Sequence, residues 1–368
     1  MNSSFSVYLD LVRILAACFV VYAHSNLRWL IPEKLPLADH AHSAVTVFFV
    51  LSGFVISFIS ERRENSANDY IASRASRILS LSVLAVLLTP LLDMVSQPAF
   101  VAYFSSAVPS DHWPVRIAAS LAFVCEIWAV SIMTFSNIPY WSLSYEVWYY
   151  VLFGLYLFAA PGKRWLWIAA VSLFIGPKIL LMAPVWLAGV VAYRWRAEDK
   201  WPLGLAVAIW LLSVLAFGLY HYFDLMRGFS DVLLQLVGEW AHTHLTFSHY
   251  FGADWLLGAI VMLNFMAARR IAPHLAQLPS GIAKAIGKAG GMTFALYIIH
   301  FPFLYFWGAA LGRQTPGWAY YAAVISCTVL STLAFGLLGE WIRPRLRKAI
   351  TQQLQRYAGR IQAPAKPA

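Results

Sequence analysis

Between Tyr8 and Ser25 the chain reads YLDLVRILAACFVVYAHS, an apolar helix that carries Asp10, Arg13 and His24. An ionisable side chain inside a membrane span is costly, so each of the three is a candidate site residue. The spacing of Arg13 and His24 is close to three helical turns, which puts them on one face, roughly 16 Å apart along the axis. Asp10 stands three residues before Arg13 and can pair with it. A histidine on such a stripe is a packing residue, a haem ligand, a proton relay or a catalytic base. The arginine on the same stripe favours the catalytic reading.

Other stretches add polar groups to apolar sequence. NDYIASRASRILS sets Arg74 and Arg77 at i,i+3 at the mouth of a span. The pair suits a charge anchor at the membrane face and equally a phosphate clamp, because guanidinium forks take phosphate oxygens in bidentate fashion. Ser52–Gly53 within TVFFVLSGFVIS allows close helix approach. IPYWSLSYEVWYY brings Trp141, Ser142, Ser144 and Glu146 to the outer end of another span, with Ser142 placed to cap it. Glu146 lies one turn into apolar sequence and needs a partner there. His24, at the same expected depth, is the favoured one and Lys178 the rival. ALYIIHFP sets Tyr297 and His300 at i,i+3, with Pro302 freeing a backbone carbonyl nearby. A structural hydrogen bond and a direct role are both open to these two. His242, His244 and His249 lack a helical spacing and a carboxylate or cysteine partner, so no metal site is expected.

The elements that position these groups follow from composition. Hydrophobic residues make up 60% of the 368 and charged residues 12%, with a mean hydropathy of +0.64. Soluble domains average about 25% charged, so the chain is read as all-α and polytopic, a transmembrane helical bundle. The 16 Trp, 18 Tyr and 24 Phe suit rings anchored at both interfaces of a lipid bilayer. Apolar runs fall at about 7–28, 41–60, 78–97, 115–134, 141–160, 165–181, 183–195, 202–222, 251–268, 291–312 and 318–341.

Charge decides how many of them cross. If 115–134 only dips in and the N-terminus is cytoplasmic, most basic residues fall in inside loops and the tail. Arg28, Lys34, Arg116, Lys178, Arg227 and Arg313 alone remain outside, with Arg13 in the membrane. A full crossing at 115–134 would invert every later loop and abolish that bias. About ten spans plus one re-entrant or interfacial helix is the expectation, with both termini cytoplasmic. The net charge of +10 is then topology, and no nucleic acid is expected. No Lys or Arg precedes the first run, so a cleaved signal peptide is not expected. Cys18, Cys125 and Cys327 all lie in apolar runs and read as small buried hydrophobes. One membrane domain spans 1–347, and the basic tail 348–368 is expected to be disordered.

Arg13-x10-His24, FFVLSGF (48–54), Arg74-x-x-Arg77, WSLSYE (141–146) and YIIHFP (297–302) follow one another along the chain. In this ordered set, over about residues 5–345, the sequence resembles the acyltransferase-3 family of bacterial integral-membrane acyltransferases. The resemblance implies transfer of an acyl group, usually acetyl, from cytoplasmic acyl-CoA to a hydroxyl of a surface glycan or related acceptor. It implies His24 as the essential histidine, general base or acyl carrier, with Arg13 its partner. It further implies Arg74 and Arg77 at the acyl donor and Glu146 as the motif's acid, in the inner (plasma) membrane and without a metal. Two departures stand out. Ser80 occupies the place where many members have a proline, and no fused esterase-like domain follows the last span. A further transfer step is therefore expected to need a separate protein. A transporter is the competing class, but duplicated halves with matching broken helices are not found. A haem carrier would use His24 with His300 across two helices, and no second such pair exists.

Overall fold

The computed structural model describes residues 3–106, 108–109, 111–312 and 314–362, with side chains as far as Arg356. Arg313 and Lys366, counted among the basic residues, lie outside these, as does the side chain of Arg360. The chain opens with α1 (Ser3–His24), α2 (Ala41–Arg63), α3 (Ala67–Ser96) and two short helices, α4 (Val101–Ser106) and α5 (Trp113–Leu121). Then come α6 (Trp141–Phe158), α7 (Pro161–Ile175), α8 (Pro177–Arg194), α9 (Leu203–Tyr222) and α10 (Leu225–His244). The last are α11 (Phe251–Ile271), α12 (Ser280–Ala310) and α13 (Trp318–Gln362). No strand occurs among the described residues.

Helices satisfy their own backbone groups, which is what an apolar chain of this kind needs in lipid. Eight of them, α1, α2, α3, α8, α9, α11, α12 and α13, are long and apolar enough to cross a membrane. The other two expected spans are α6 and α7. At 15 residues, α7 is only about 22 Å long, short for a hydrocarbon core of about 30 Å.

The stretch 115–134 does not cross. It holds α5 and an irregular path whose polar groups find side-chain partners inside the protein. Tyr140 donates to the Ser120 carbonyl at 3.0 Å and Trp148 Nε1 to that of Phe123 at 2.8 Å. Ser120 and Thr134 share a hydroxyl bond of 2.8 Å. Lys178 is buried here rather than in an outer loop, and donates to Glu126 at 2.7 Å and to the Val130 carbonyl. Non-helical backbone at membrane depth is tolerated only when it is satisfied by protein in this way.

At the centre α2 packs on α1, α8 and α11. Its crossing with α8 is set by Gly53 and Gly189. A Cβ on Gly53 would lie 2.0 Å from the Trp186 carbonyl oxygen, and one on Gly189 would lie 1.9 Å from that of Val50. Backbones in such contact leave no room for a side chain. Gly189→Val should therefore force the two helices apart, at the upper end of the about 1–3 kcal/mol typical of overpacking. A lower melting temperature and lower membrane abundance are the expected readouts; an unchanged melting curve would contradict the crossing.

Arg74, Arg194 and Arg269 gather at one end. Arg194 bonds Ser57 at 3.2 Å, Arg269 bonds the Tyr193 carbonyl at 3.0 Å and pairs with Glu198, and Arg74 pairs with Glu64 at 2.7 Å. The opposite end is tied by Ser25 to Tyr321 at 2.8 Å and Asp39 to Arg227 at 3.2 Å. Residues 348–362 were expected to be disordered, whereas α13 continues through them. Its AITQQLQR stretch is made of residues that a helix accommodates readily, with no glycine before Gly359.

Candidate active site

Two neighbouring chambers of the bundle bear on the candidate site. The first is narrow, with about 60 Å³ of open space, and Arg13, Arg77, Ser52, Ser142, Glu146 and Tyr297 reach it. Arg13 keeps its expected partner, Asp10, at 3.3 Å. Arg77 is half-buried, and no carboxylate among the described residues comes within ion-pair distance of it. Glu146 accepts from Ser52 at 2.6 Å and also from Tyr150. Trp186 Nε1 donates to Ser52 at 3.3 Å, so the tight α2–α8 crossing fixes the serine that holds the acid. Asp10 and Glu146 balance the two guanidinium groups in number, and Arg77 is the one with no carboxylate at ion-pair distance among the described residues.

The second chamber is wider, about 470 Å³, and is reached by His24, His42, Trp141, His249, Tyr250 and Tyr297. Val45 and Tyr297 line both chambers, so the two are neighbours with these side chains between them. His24 Nδ1 lies 2.8 Å from His300 Nε2. His300 Nδ1 faces the Leu296 and Tyr297 carbonyls, both at 2.9 Å. Carbonyl oxygens only accept, so Nδ1 of His300 carries its hydrogen. In a neutral ring Nε2 then accepts, which makes His24 Nδ1 the donor. These partners assign the tautomer and leave the lone pair of His24 on Nε2, open to the chamber.

Pro302 contributes to the same geometry. It lacks the N–H that would bond the Ile298 carbonyl, and Asn137 Nδ2 donates to that carbonyl instead at 2.8 Å. Tyr297 is fixed nearby by its hydroxyl bond to Ser142 at 2.6 Å.

The side chains singled out in the sequence are thus divided. Arg13, Ser142 and Glu146 reach the basic chamber, His24 and Trp141 the histidine chamber, and Tyr297 both. Glu146 does not pair with His24. The rotation of α6 turns it toward Ser52 and Tyr150, and His300 takes the place beside His24. Lys178, the rival for Glu146, pairs with Glu126. Arg74 is not in the chamber with Arg77. It is buried and its guanidinium meets both oxygens of Glu64, at 2.7 and 2.8 Å. Ser142 does not cap α6, because Tyr140 holds the N-cap position. Its hydroxyl turns to Tyr297. Ser144 is buried and lines neither chamber. His242 bonds Ser230 at 2.8 Å, and His249 stacks on it.

Three contributors escaped the sequence reading: His42, Thr46 and Asp254. His42 Nε2 lies 2.9 Å from Asp254 Oδ2, and Thr46 donates to Oδ1 at 2.6 Å. The signal was available, since Asp254 is a carboxylate within an apolar run, as Asp10 is.

Chemically, an open imidazole nitrogen beside a roomy chamber can take a proton from a hydroxyl or accept an acyl group. A narrow chamber lined by two arginines offers guanidinium forks to phosphate oxygens. The comparisons with known proteins agree with that chemistry. The model of an acyltransferase domain family, acyltransferase-3, matches residues 6–337. The exopolysaccharide production protein ExoZ of Rhizobium meliloti (strain 1021) is 32% identical over 130 residues. That match takes in 33% of this chain and 36% of ExoZ, so it spans about a third of the relative's length. No solved structure matches the chain. With the family model covering nearly all of the sequence, the chain belongs to the acyltransferase-3 family, and its apolar helices are those of a multi-pass membrane protein.

Proposed function

We propose that the protein moves an acyl group, acetyl foremost, from cytoplasmic acyl-CoA to a hydroxyl of an exported or cell-surface glycan. The observation that carries this reading is that a chamber lined by arginines adjoins a chamber lined by His24, with Val45 and Tyr297 lining both. Arginines at one end suit the phosphates of the donor. The roughly 16 Å from Arg13 to His24 is comparable with the length of its pantetheine arm. The thioester carbonyl would then come to His24 Nε2.

In direct transfer the acceptor oxygen attacks that carbonyl and an O–C bond forms as the C–S bond breaks. His24 takes the hydroxyl proton and passes it to the departing sulfur. In the two-step route Nε2 itself carries the acyl group between donor and acceptor. His300 acts as a positioning residue in both, because it fixes which nitrogen of His24 is free. A glycan acceptor is supported by the similarity to ExoZ, an exopolysaccharide production protein. Deleting the protein from a producing strain should remove O-acetyl signals from the NMR spectrum of its surface glycan. An unchanged spectrum would overturn the reading.

The proposal also fixes an orientation. The arginine end faces the cytoplasm, with ten crossings and both termini inside, in the bacterial inner membrane, as the basic bias requires. Cysteine labelling in intact cells should find the C-terminus protected and residues 223–250 accessible. A C-terminus labelled from outside would reverse the assignment.

A further inference from the structure

The histidine chamber contains a second imidazole that the reaction above leaves without a task. His42 and Thr46 stand one turn apart on α2 and both reach Asp254 on α11, at 2.9 and 2.6 Å. Asp254 is fully buried. A carboxylate at that depth is costly unless donors meet it, and these two do. The His42 ring lies flat on Trp141, 5.7 Å between centroids and 4° apart. Trp141 in turn stacks on Phe247 at 4.3 Å. The ring is therefore fixed in orientation, and its Nε2 hydrogen is committed to Asp254. Its Nδ1 has no partner among the described residues and opens on the chamber. Packing alone does not call for this arrangement, since a phenyl ring would fill the stack without a buried carboxylate behind it.

We propose that His42, oriented by Asp254 and Thr46, is the acceptor-recognising residue of this enzyme. Its Nδ1 takes the hydrogen bond of one hydroxyl of the acceptor while another hydroxyl is presented to His24. The acceptor is thus a polyol whose hydroxyls span a chamber of about 470 Å³. No bond is made or broken at His42. The moving proton leaves the reacting hydroxyl for His24 and ends on the CoA sulfur as O–C replaces C–S. This inference rests on the transferase reading above.

The test uses the purified full chain, acetyl-CoA, and two probe acceptors: methyl β-D-glucopyranoside as the polyol and cyclohexylmethanol as the mono-ol. The wild-type protein should favour the glucoside in kcat/KM. His42→Gln, which can still donate to Asp254, and His42→Phe, which can still stack on Trp141, should both lower the glucoside-to-mono-ol ratio. The expected drop is about tenfold or more, carried mainly by KM, as for a hydrogen bond left unmade in a closed site. Partial misfolding lowers both rates together and leaves the ratio unchanged, so the ratio isolates recognition. A ratio within twofold of wild type in both variants would overturn the proposal. So would a wild-type protein that uses the two probes equally. Failure of the transferase reading looks different: the wild-type protein would then acylate neither probe.

Discussion

Replacing His24 by alanine is expected to lower acyl transfer by about 10²–10⁴-fold, the usual value of a general base. Loss of a covalent carrier would cost more. The variant should still insert and still bind acyl-CoA, because Arg13 lies about three turns away on the same helix and Arg77 is on α3. The argument rests on one nitrogen. Two carbonyls fix the hydrogen of His300 on Nδ1, and the 2.8 Å bond to His24 then leaves Nε2 of His24 unbonded and facing the chamber. His24→Gln should do no better than alanine, since an amide can hydrogen-bond but cannot take the proton. His300→Gln should be milder, because the amide oxygen can still accept from His24 Nδ1 and hold the ring. Radiolabelled acetyl-CoA without acceptor separates the two routes, because only the two-step one leaves label on wild-type protein. If His24→Ala kept a third of wild-type transfer at normal abundance, the assignment would be wrong.

The bundle was legible because its signals are local. Apolar runs of span length, punctuated by basic loops, gave the helices, and the charge bias singled out 115–134 as a stretch that does not cross. Asp10 and Arg13 lie one turn apart on a single helix, so their pairing needed no tertiary knowledge. The partner of His24 did need it. Depth places Glu146 beside His24, but the rotation of α6 about its own axis is set by contacts with Ser52 and Tyr150. No period in the sequence records that rotation. Arg74 and Arg77 differ for a similar reason. Their i,i+3 spacing puts them on adjacent parts of one face. Glu64, ten residues before Arg74 across the α2–α3 turn, then claims only one of them. His42 and Asp254 are 212 residues apart, and only the packing of α2 on α11 brings them together. The amphipathic α10 went unread because its apolar residues are interrupted by charges and by the non-helical Gly238.

Arg77→Gln is expected to weaken acyl-CoA binding by about 10–100-fold, the value of one charge-assisted hydrogen bond of roughly 1.5–3 kcal/mol. Arg77 is the guanidinium of the pair that faces the basic chamber without a carboxylate partner, so its forks are free for a phosphate. Lysine at the same position should restore only part of the affinity, because an ammonium lacks the planar fork. Arg74 supplies the contrast. Arg74→Gln alone strands Glu64 in the interior, and breaking a buried pair costs about 3–5 kcal/mol of stability. Its effect should therefore be a fall in abundance rather than in donor affinity. Changing both partners, Arg74→Gln with Glu64→Gln, should recover the abundance and bind acyl-CoA as wild type does. Titration of the purified proteins with acetyl-CoA and with free CoA reads the affinities directly, independent of any acceptor. The two ligands should lose affinity equally in Arg77→Gln, because the lost contact is to the shared phosphates and not to the acyl group. Unchanged affinity in that variant, or a loss confined to Arg74→Gln/Glu64→Gln, would move the donor site out of the basic chamber.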